Sequence, residues 1–458
     1  MSKMATLLLK NADLLVTMDS SRRKLKHGCL WIEDNVIKAV GTPADMPSEA
    51  DQVIDAQGML VMPGLVNTHH HLYQTLTRAL PPVEDAKLFD WLTYLYPIWA
   101  QLTAEAVYHS AQVALVEMLL SGCTTVSDHL YLVPNDARHD DEIRAAQELG
   151  VRFHPCRGSM SLGKSQGGLP PDSVVQTEDE ILADCERLVS AYHNPDLYSM
   201  LRVVIAPCSP FSVTGESMKR SAAWAREHGL QLHTHVAETL DEEEFCQLQF
   251  GCRPVEYMRR LDWVGPDVWY AHAIYVNEQE IQLMAETDTG MAHCPASNMR
   301  LGSGIAPIRE MLDAGMRVSL GVDGSASNDS GHLIAEARLA MLLQRVAKGP
   351  SALTAMEALE MATLGGARVL CREDIGSLEP GKAADFIGIR LDRVEFAGGA
   401  CHDPLGALVL CTPPNVDLSV INGRVVVADG QIPGMDMERL VARQNELARE
   451  MVKRALDA

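Results

Sequence analysis

The sequence predicts an α/β protein in which a TIM-like (β/α)8 barrel carries a small β-sandwich domain formed from both chain termini. From Leu65 to about Leu370, short apolar runs of strand length alternate with longer stretches of helical periodicity. Strands that alternate with helices form a parallel sheet. Roughly 300 residues of this pattern favour a closed barrel, although the spacing alone is also compatible with an open sheet.

The amino-terminal stretch is typical of β structure. Asp34-Asn35 forms a two-residue hairpin turn between two of its apolar segments. The segments expected as strands are Leu7–Leu9, Leu14–Thr17, Leu30–Ile32, Val36–Val40, Val53–Ile54 and Met59–Met62.

The carboxy-terminal stretch returns to the same pattern. Ala384–Ile389 is a strand candidate, and Leu418–Ile421 and Arg424–Val427 flank a hairpin turn at Asn422-Gly423. We therefore expect residues 1–62 and 376–436 to form one composite β-sandwich domain. Residues 63–375 are expected to form the barrel, and residues 437–458 a charged, peripheral helix.

Within the barrel region, Thr103–Ser121 is the clearest helix, because Thr103 is a good capping residue and Gly122 a good terminator. Further helices are expected over Glu216–His228 and Ile305–Ala314. The strand candidates are Thr124–Val126, Val203–Ile205, Leu230–His235, Val268–Ala271, Gly290–Ala292 and Arg317–Leu320.

Composition and charge narrow the choice of partners. The formal net charge of −22 argues against nucleic acid and against an anionic membrane, because both would repel the chain. No apolar run approaches the roughly 20 residues that span a bilayer. The eleven cysteines form no CxxC pair and no apolar leader opens the chain, so we expect reduced thiols and a cytoplasmic location.

Two histidines follow the first strand signal of the barrel region. Alternate residues of an extended strand face the same way, so His69 and His71 project together and His70 projects opposite. Two imidazoles on one face at a strand end form half of a divalent-metal site. A surface polyhistidine stretch is the alternative interpretation.

Three further strands end in groups of the same kind. His233 and His235 end one of them, and on pattern alone either residue is a candidate ligand; Glu238 lies just beyond, where an acid can shuttle protons beside a metal. His272 and Asp323 each follow another strand. Taken singly, His272 is more often structural, and Asp323 is explained as well by an ordinary Asp-Gly turn.

Together these residues place imidazoles and carboxylates at the ends of four strands. The carboxyl ends of barrel strands meet at one rim. The sequence therefore predicts one site suited to a divalent metal and to hydrolysis.

The motifs around these residues resemble the amidohydrolase superfamily. The matching segments are PGLVNTHHHL at 63–72, HVAE at 235–238, AH at 271–272, HCPASN at 293–298 and VDG at 322–324. The resemblance covers nearly the whole chain, and GSLEPGKAAD at 376–385 is similar to the family's return into its split β domain. The nearest branch holds the cytosine, guanine and adenosine deaminases and the triazine hydrolases. The segments at 69–81 and 88–99 look like the 8-oxoguanine deaminase subgroup.

The resemblance implies one bound divalent metal ion, most often Zn2+, with Fe2+ as an alternative. Family members with two metals use a carboxylated lysine at a strand end. Between Asp128 and His233 the only lysines are Lys164 and Lys219, which fall in a loop and a helix, so a single ion is expected. The implied ligands are His69, His71, His235 and Asp323.

The implied reaction is hydrolytic loss of an amino group from a heterocycle, with 8-oxoguanine giving urate and ammonia. Asp323 would also take a proton from the attacking water, and His272 would orient the attacking oxygen. Glu238 would protonate the ring nitrogen and then the leaving amine.

Candidate substrate contacts come from residues near these motifs. Gln74 and His272 are candidates at the metal end, and Arg157 is a candidate for holding a carbonyl oxygen, with a surface ion pair as the alternative. Trp99 is a candidate wall residue in an aromatic cluster for which packing is the expected role of at least half the members. The other cluster members are Trp91, Tyr94 and Tyr96.

Three more residues are candidates for the same rim. His293 and Asn298 belong to the HCPASN segment. Cys208 stands where related deaminases often carry a histidine, which counts against an adenosine-type substrate.

Alternative functions remain at this point. The chain could be a triazine amino- or chlorohydrolase or a guanine or pterin deaminase, and a non-catalytic binding homologue is disfavoured because each implied ligand position is filled. A nucleotide enzyme has no support, since no GxGxxG follows the first strand and GKSQGG at 163–168 lacks P-loop spacing. We expect a homo-oligomer whose partner molecule is a small heterocyclic amine.

Overall fold

The computed structural model describes residues 5–412 and 414–457. Its strands, in chain order, are β1 (Thr6–Ala12), β2 (Leu14–Val16), β3 (Lys24–Leu25), β4 (Gly28–Glu33), β5 (Val36–Gly41), β6 (Gln52–Asp55), β7 (Met59–Pro63), β8 (Leu65–Asn67), β9 (Cys123–Leu130), β10 (Arg152–Ser159), β11 (Val204–Pro207), β12 (Leu232–Val236), β13 (Val268–His272), β14 (Gly290–His293), β15 (Val318–Leu320), β16 (Phe386–Arg390), β17 (Leu418–Ile421) and β18 (Arg424–Ala428).

The helices are α1 (Leu88–Trp99), α2 (Ala104–Leu120), α3 (His139–Leu149), α4 (Glu178–Tyr192), α5 (Gly215–Glu227), α6 (Leu240–Phe250), α7 (Pro254–Arg260), α8 (Glu278–Glu286), α9 (Pro295–Arg300), α10 (Ile308–Asp313), α11 (Leu333–Lys348), α12 (Ala355–Glu360), α13 (Gly366–Val369), α14 (Pro404–Leu410) and α15 (Met437–Asp457). The Thr103 hydroxyl caps α2 by accepting from the backbone N–H of Ala106, as its sequence predicts.

Eight parallel strands, β8 to β15, form the central sheet in sequential order. The first and last strands meet where the backbone N–H of Thr68 donates to the carbonyl of Leu320 at 3.1 Å. The N–H of Asp323 likewise donates to the carbonyl of His69 at 3.1 Å. The predicted (β/α)8 barrel is therefore confirmed, and the bonds that close it bring His69 beside Asp323.

Two further sheets pack face to face beside the barrel. One has the order β5-β4-β1-β6, and the other has the order β18-β17-β16-β7-β2-β3, so it combines strands from both termini. Their shared core is apolar and includes Leu9, Leu30, Val61, Phe386 and Val420. Both predicted hairpins are present, with Glu33 opposite Val36 and Ile421 opposite Arg424.

We propose the domain division expected from the sequence, with two differences of detail. The segment between β16 and β17 holds α14, which packs on α11 and α12 of the barrel. The terminal helix α15 is docked against α1 and α2, where Met451 is fully buried, so it is less peripheral than its charge suggests. No helix within the described residues has the length and apolar content needed to cross a bilayer.

One barrel strand was missing from the sequence prediction. β10 has the sequence RFHPCRGS, whose charged and proline residues do not resemble a buried strand, yet all eight residues are buried. Arg152 explains this, because its guanidinium is paired with the buried carboxylate of Asp385 at 2.9 Å. A polar strand is therefore compatible with the barrel when its charged group has a buried partner.

Candidate active site

The site lies at the carboxyl ends of the barrel strands. His69 and His71 follow β8, His235 and Glu238 end or follow β12, and His272 ends β13. Each of these side chains is at least nine-tenths buried. Asp323 follows β15 with a left-handed φ of 63° and lies 5% exposed.

Backbone carbonyls fix the tautomers of two of these histidines. Nδ1 of His71 lies 2.7 Å from the carbonyl oxygen of His129, and Nδ1 of His235 lies 2.7 Å from the carbonyl oxygen of Cys208. A carbonyl can only accept, so each Nδ1 carries the hydrogen and each Nε2 presents a lone pair.

His69 reaches the same state through a second histidine. Nδ1 of His233 lies 3.0 Å from the carbonyl of Trp269 and therefore donates to it. Nε2 of His233 is then an acceptor, and it lies 2.8 Å from Nδ1 of His69. The structure thus places His233 behind His69, and places His235 beside His71.

The Nε2 lone pairs of three histidines and one carboxylate converge on a common point, which we call the centre; the residues are His69, His71, His235 and Asp323. Nε2 of His71 lies 3.2 Å from Nε2 of His235, and Oδ1 of Asp323 lies 3.3 Å from Nε2 of both His69 and His71. Within the described residues, nothing hydrogen-bonds Nε2 of His69. Two ligands about 2.0–2.1 Å from a tetrahedral ion lie about 3.3 Å apart, so these spacings fit a divalent cation such as zinc.

The electrostatics agree with that fit. Burial, reinforced by the neighbouring His71, lowers the pKa of His235 to about 3, so its imidazole is neutral and able to act as a ligand. Burial by itself would raise the pKa of Asp323. The His69 and His71 side chains outweigh it and hold the pKa of Asp323 well below its usual value.

Glu238 and His272 stand beside the centre. Oε2 of Glu238 lies 3.6 Å from Nε2 of His272, which in turn lies 3.9 Å from Oδ2 of Asp323. Burial, and then the charge of Asp323, raise the pKa of Glu238 well above its usual value, which favours the protonated acid. Nδ1 of His272 lies 3.0 Å from Oδ1 of Asn298, so the Asn298 amide orients the imidazole.

A cavity of about 400 Å3 opens on this group. The cavity is polar beside the histidines and carboxylates, and the rest of its lining is mainly aromatic and aliphatic, as is common in small-molecule sites. The lining residues are His71, Gln74, Leu88, Trp91, Leu92, Tyr96, Tyr131, Cys208, Ser209, Phe211, His235, Glu238, His272, Leu301, Asp323 and Ser327.

The amidohydrolase family model matches residues 60–426. The chain belongs to the amidohydrolase family. It is 48% identical to an 8-oxoguanine deaminase of Pseudomonas aeruginosa strain PAO1, over 93% of this chain and 95% of the relative. It is 38% identical to hydroxydechloroatrazine ethylaminohydrolase of Pseudomonas sp. strain ADP, over 98% of this chain and 96% of the relative.

A solved relative carries a metal. The crystal structure of atrazine chlorohydrolase from Arthrobacter aurescens TC1 complexed with zinc matches with a TM-score of 0.92 and 36% identity, over 96% of this chain and 100% of that chain. This amidohydrolase is therefore an enzyme that hydrolyses C–N bonds, with a buried histidine cluster that could hold a divalent metal.

Two predicted substrate contacts of the amidohydrolase do not reach the cavity. The Arg157 guanidinium points into the helical layer, where it bonds Asp184, Gln176 and the carbonyl of Gly158. Trp99 packs edge-on against Tyr73 behind the cavity wall, and its Nε1–H donates to the Thr77 hydroxyl. Both predictions are corrected, because packing and ion pairing use the two side chains fully.

The remaining predicted contacts divide in the same way. Gln74 lines the cavity, and it lies against the loop after Asp323 so closely that a Cβ on Gly324 would meet its Oε1 at 1.8 Å. Trp91, Tyr96 and Cys208 also line the cavity, whereas Tyr94 is 37% exposed on the outer face of α1. His293 and Asn298 lie outside the lining, behind His272.

Seven lining residues were absent from the sequence prediction: Leu88, Leu92, Tyr131, Ser209, Phe211, Leu301 and Ser327. Tyr131 follows β9 directly, so the strand-end rule that located His272 would also have located it. Phe211, Leu301 and Ser327 lie in loops, whose course carries no periodic signal. They are known only from the three-dimensional structure.

Proposed function

We propose that this amidohydrolase is a mononuclear metal-dependent deaminase of an oxidised purine, which converts 8-oxoguanine and water to urate and ammonia. One observation carries the proposal: a histidine and aspartate centre adjoins a buried glutamic acid that lines the same cavity, in a chain 48% identical to an 8-oxoguanine deaminase. The catalytic residues proposed are Glu238, His272 and Asp323.

The proposed metal ligands are His69, His71, His235 and Asp323. Their spacings support a single ion, and the zinc complex of a 36% identical relative supports zinc. A divalent ion bound there supplies Lewis acidity and a water acidic enough to attack at neutral pH. His129 is also near the cluster, but its Nε2 is used by the carbonyl of Ala206 at 2.7 Å.

The remaining steps are proton transfers by the chain's own residues. Asp323 is ionised, and its Oδ2, which also accepts from the Ser327 hydroxyl at 3.4 Å, accepts a proton from the attacking water while the new C–O bond forms. Glu238 delivers its proton to the adjacent ring nitrogen, and His272 orients the attacking oxygen from the other side. Glu238 takes up the hydroxyl proton of the adduct and passes it to the exocyclic amine, so that the carbonyl forms, the C–N bond breaks and ammonia leaves. The proton held by Asp323 then returns Glu238 to its acid form.

A triazine substrate is the second candidate, because the far end of the cavity is apolar. Leu88, Leu92 and Leu301 line it together with Phe211. Such a surface suits the alkyl groups of an aminotriazine, whereas a purine carbonyl there needs a donor. Tyr96 lines the same cavity, and its buried hydroxyl has no partner among the described residues, so it supplies that donor.

The test measures ammonia release by purified protein whose metal content is known. The substrates are 8-oxoguanine, guanine, isoxanthopterin and hydroxyatrazine, and ethylamine release is also measured for hydroxyatrazine. We expect kcat/KM for 8-oxoguanine to exceed the others by at least about tenfold, which is about 1.4 kcal/mol of discrimination. The His235→Ala variant, which removes a proposed ligand, serves as the control and should lose both metal and turnover. A preference for hydroxyatrazine, or no amine release from any of the four, would overturn the proposed substrate.

A further inference from the structure

A second glutamate lies directly beneath Glu238. Glu242, on the first turn of α6, has no solvent exposure. One of its carboxyl oxygens accepts from the backbone N–H of Ala237 at 2.8 Å, and the other accepts from the N–H of Glu238 at 2.9 Å. Both oxygens of a buried acid are thus used by the two residues that set the direction of the Glu238 side chain.

This arrangement differs from ordinary helix capping. Thr239 caps α6, and its hydroxyl accepts from the N–H of Glu242 at 3.3 Å. In a capping box the glutamate three residues after the cap bonds the N–H of the cap residue itself. Glu242 reaches past Thr239 to the two preceding residues instead. It therefore holds the turn that leaves β12, in addition to any effect on the helix.

The turn that follows β12 depends on stabilising contacts because its backbone is strained. Ala237 has a φ of 56°, in the left-handed region that a residue with a side chain rarely adopts. Its carbonyl accepts from the N–H groups of Ile274 and Tyr275, both at 2.9 Å. These two residues follow His272 closely, so the same turn is tied to the segment that carries the His272 imidazole.

We propose that Glu242 is a positioning residue that holds the Glu238 carboxyl at its 3.6 Å distance from His272. The proposal rests on the proposed function, since it assumes that Glu238 transfers protons. The geometry gives the reason: Glu242 fixes the amide of Glu238 and that of the strained residue before it. Burial raises the pKa of the Glu242 carboxyl to about 8, and the two backbone N–H bonds oppose that rise because they stabilise the carboxylate.

The variant Glu242→Gln keeps the size of the side chain and removes one acceptor. The amide NH2 of glutamine would face a backbone N–H, so one of the two bonds is lost. We expect kcat for 8-oxoguanine to fall roughly 10- to 100-fold, with KM and metal content close to wild type. Glu244→Gln, an exposed position on the same helix, is the matched control and should leave kcat unchanged.

A double-mutant cycle separates positioning from a general structural role. If Glu242 acts through Glu238, then adding Glu242→Gln to Glu238→Gln should cause no further loss of kcat. A structural defect would instead lower kcat by the same factor in both backgrounds, and that result would overturn the proposal. Wild-type kcat in the single Glu242→Gln variant would overturn it as well.

Two further outcomes are informative. If Glu242→Gln does not fold, Glu242→Asp replaces it in the cycle, because the shorter acid cannot reach both amides and should give an intermediate kcat. If Glu238→Gln alone turns over at the wild-type rate, the proton-transfer role of Glu238 fails and Glu242 loses its function with it. That failure appears in a variant that leaves Glu242 intact, so the two causes are distinguishable.

Discussion

Nε2 of His233 lies 2.8 Å from Nδ1 of His69, deep inside the barrel. The His233 ring is stacked on Trp269 at 4.5 Å with an interplanar angle of 17°, and its Nδ1–H donates to the carbonyl of that same residue. His233 is therefore fixed as an acceptor, which leaves the lone pair of His69 on Nε2, facing the proposed metal. The other two proposed histidine ligands obtain the same orientation from backbone carbonyls.

This relationship predicts that His233→Phe weakens metal binding. Phenylalanine keeps the stack on Trp269 but removes the nitrogen that accepts from His69. Loss of such a supporting group typically lowers metal affinity 10- to 100-fold. We expect a loss of zinc affinity at roughly the upper end of that range, because His233 is fully buried. Equilibrium dialysis against a zinc buffer measures the effect.

His139→Phe is the control for this experiment. His139 is equally buried, but its Nε2 is bonded to the carbonyl of Leu130 outside the metal centre. Equal zinc affinity in the two variants would contradict the role given to His233.

Much of this fold was predictable because its signals are local. The HxH spacing indicates that His69 and His71 share a face, and the strand-end rule places His272 and Asp323 at the same rim from the sequence alone. The direction of Arg157 was not predictable in this way. Its strand was not recognised as one, and its partner Asp184 is distant in sequence.

The packing of aromatic residues was equally out of reach. Trp91 and Trp99 both lie on α1 and are both buried, and their rings touch at 5.3 Å, yet only Trp91 lines the cavity. Helical periodicity assigns a residue to a face. It does not determine which of two rings in edge-to-face contact faces the cavity.

The second prediction concerns Glu238→Gln. Burial and then the charge of Asp323 raise the pKa of Glu238, which favours the protonated acid, and this acid is lost as the pH rises through the raised pKa. Wild-type kcat should therefore decline on the alkaline side. The variant should lose about 10²- to 10⁴-fold in kcat at pH 7.

Metal content of the Glu238→Gln protein, measured beside kcat from pH 6 to 10, checks this prediction. The variant should retain its ion, because Glu238 is not a proposed ligand. Near-normal turnover, or loss of the metal, would contradict the proton-transfer role.

The third prediction separates a residue inside the cavity from one outside it. Gln74→Leu should raise KM for 8-oxoguanine about fivefold or more through loss of a polar contact, with little change in stability. Arg157→Met should leave KM unchanged and lower the free energy of unfolding by roughly 2 kcal/mol, because it removes the hydrogen bonds to Asp184 and Gln176 while Asp184 keeps Arg187. Steady-state kinetics and urea unfolding of both variants give the comparison. A large KM effect in Arg157→Met would show that the guanidinium reaches the substrate after all.

The fourth prediction concerns acid stability and His293. Burial, and then the neighbouring His272, lower the pKa of His293 to about 3, whereas an unfolded histidine titrates near 6.5. Between these values the unfolded chain binds the extra proton, so the titration of His293 has no effect on stability well above pH 6.5 and destabilises the fold increasingly as the pH falls. From pH 6.5 to 5.5 one such group removes about 1 kcal/mol of stability. In urea unfolding of the metal-free protein, His293→Gln should therefore lose about 1 kcal/mol less than wild type over that interval. Both ring nitrogens of His293 lack hydrogen-bond partners among the described residues, so only water could stabilise a charged imidazole there. An identical pH dependence in the two proteins would therefore show that water reaches His293 and that it is not buried as a neutral group.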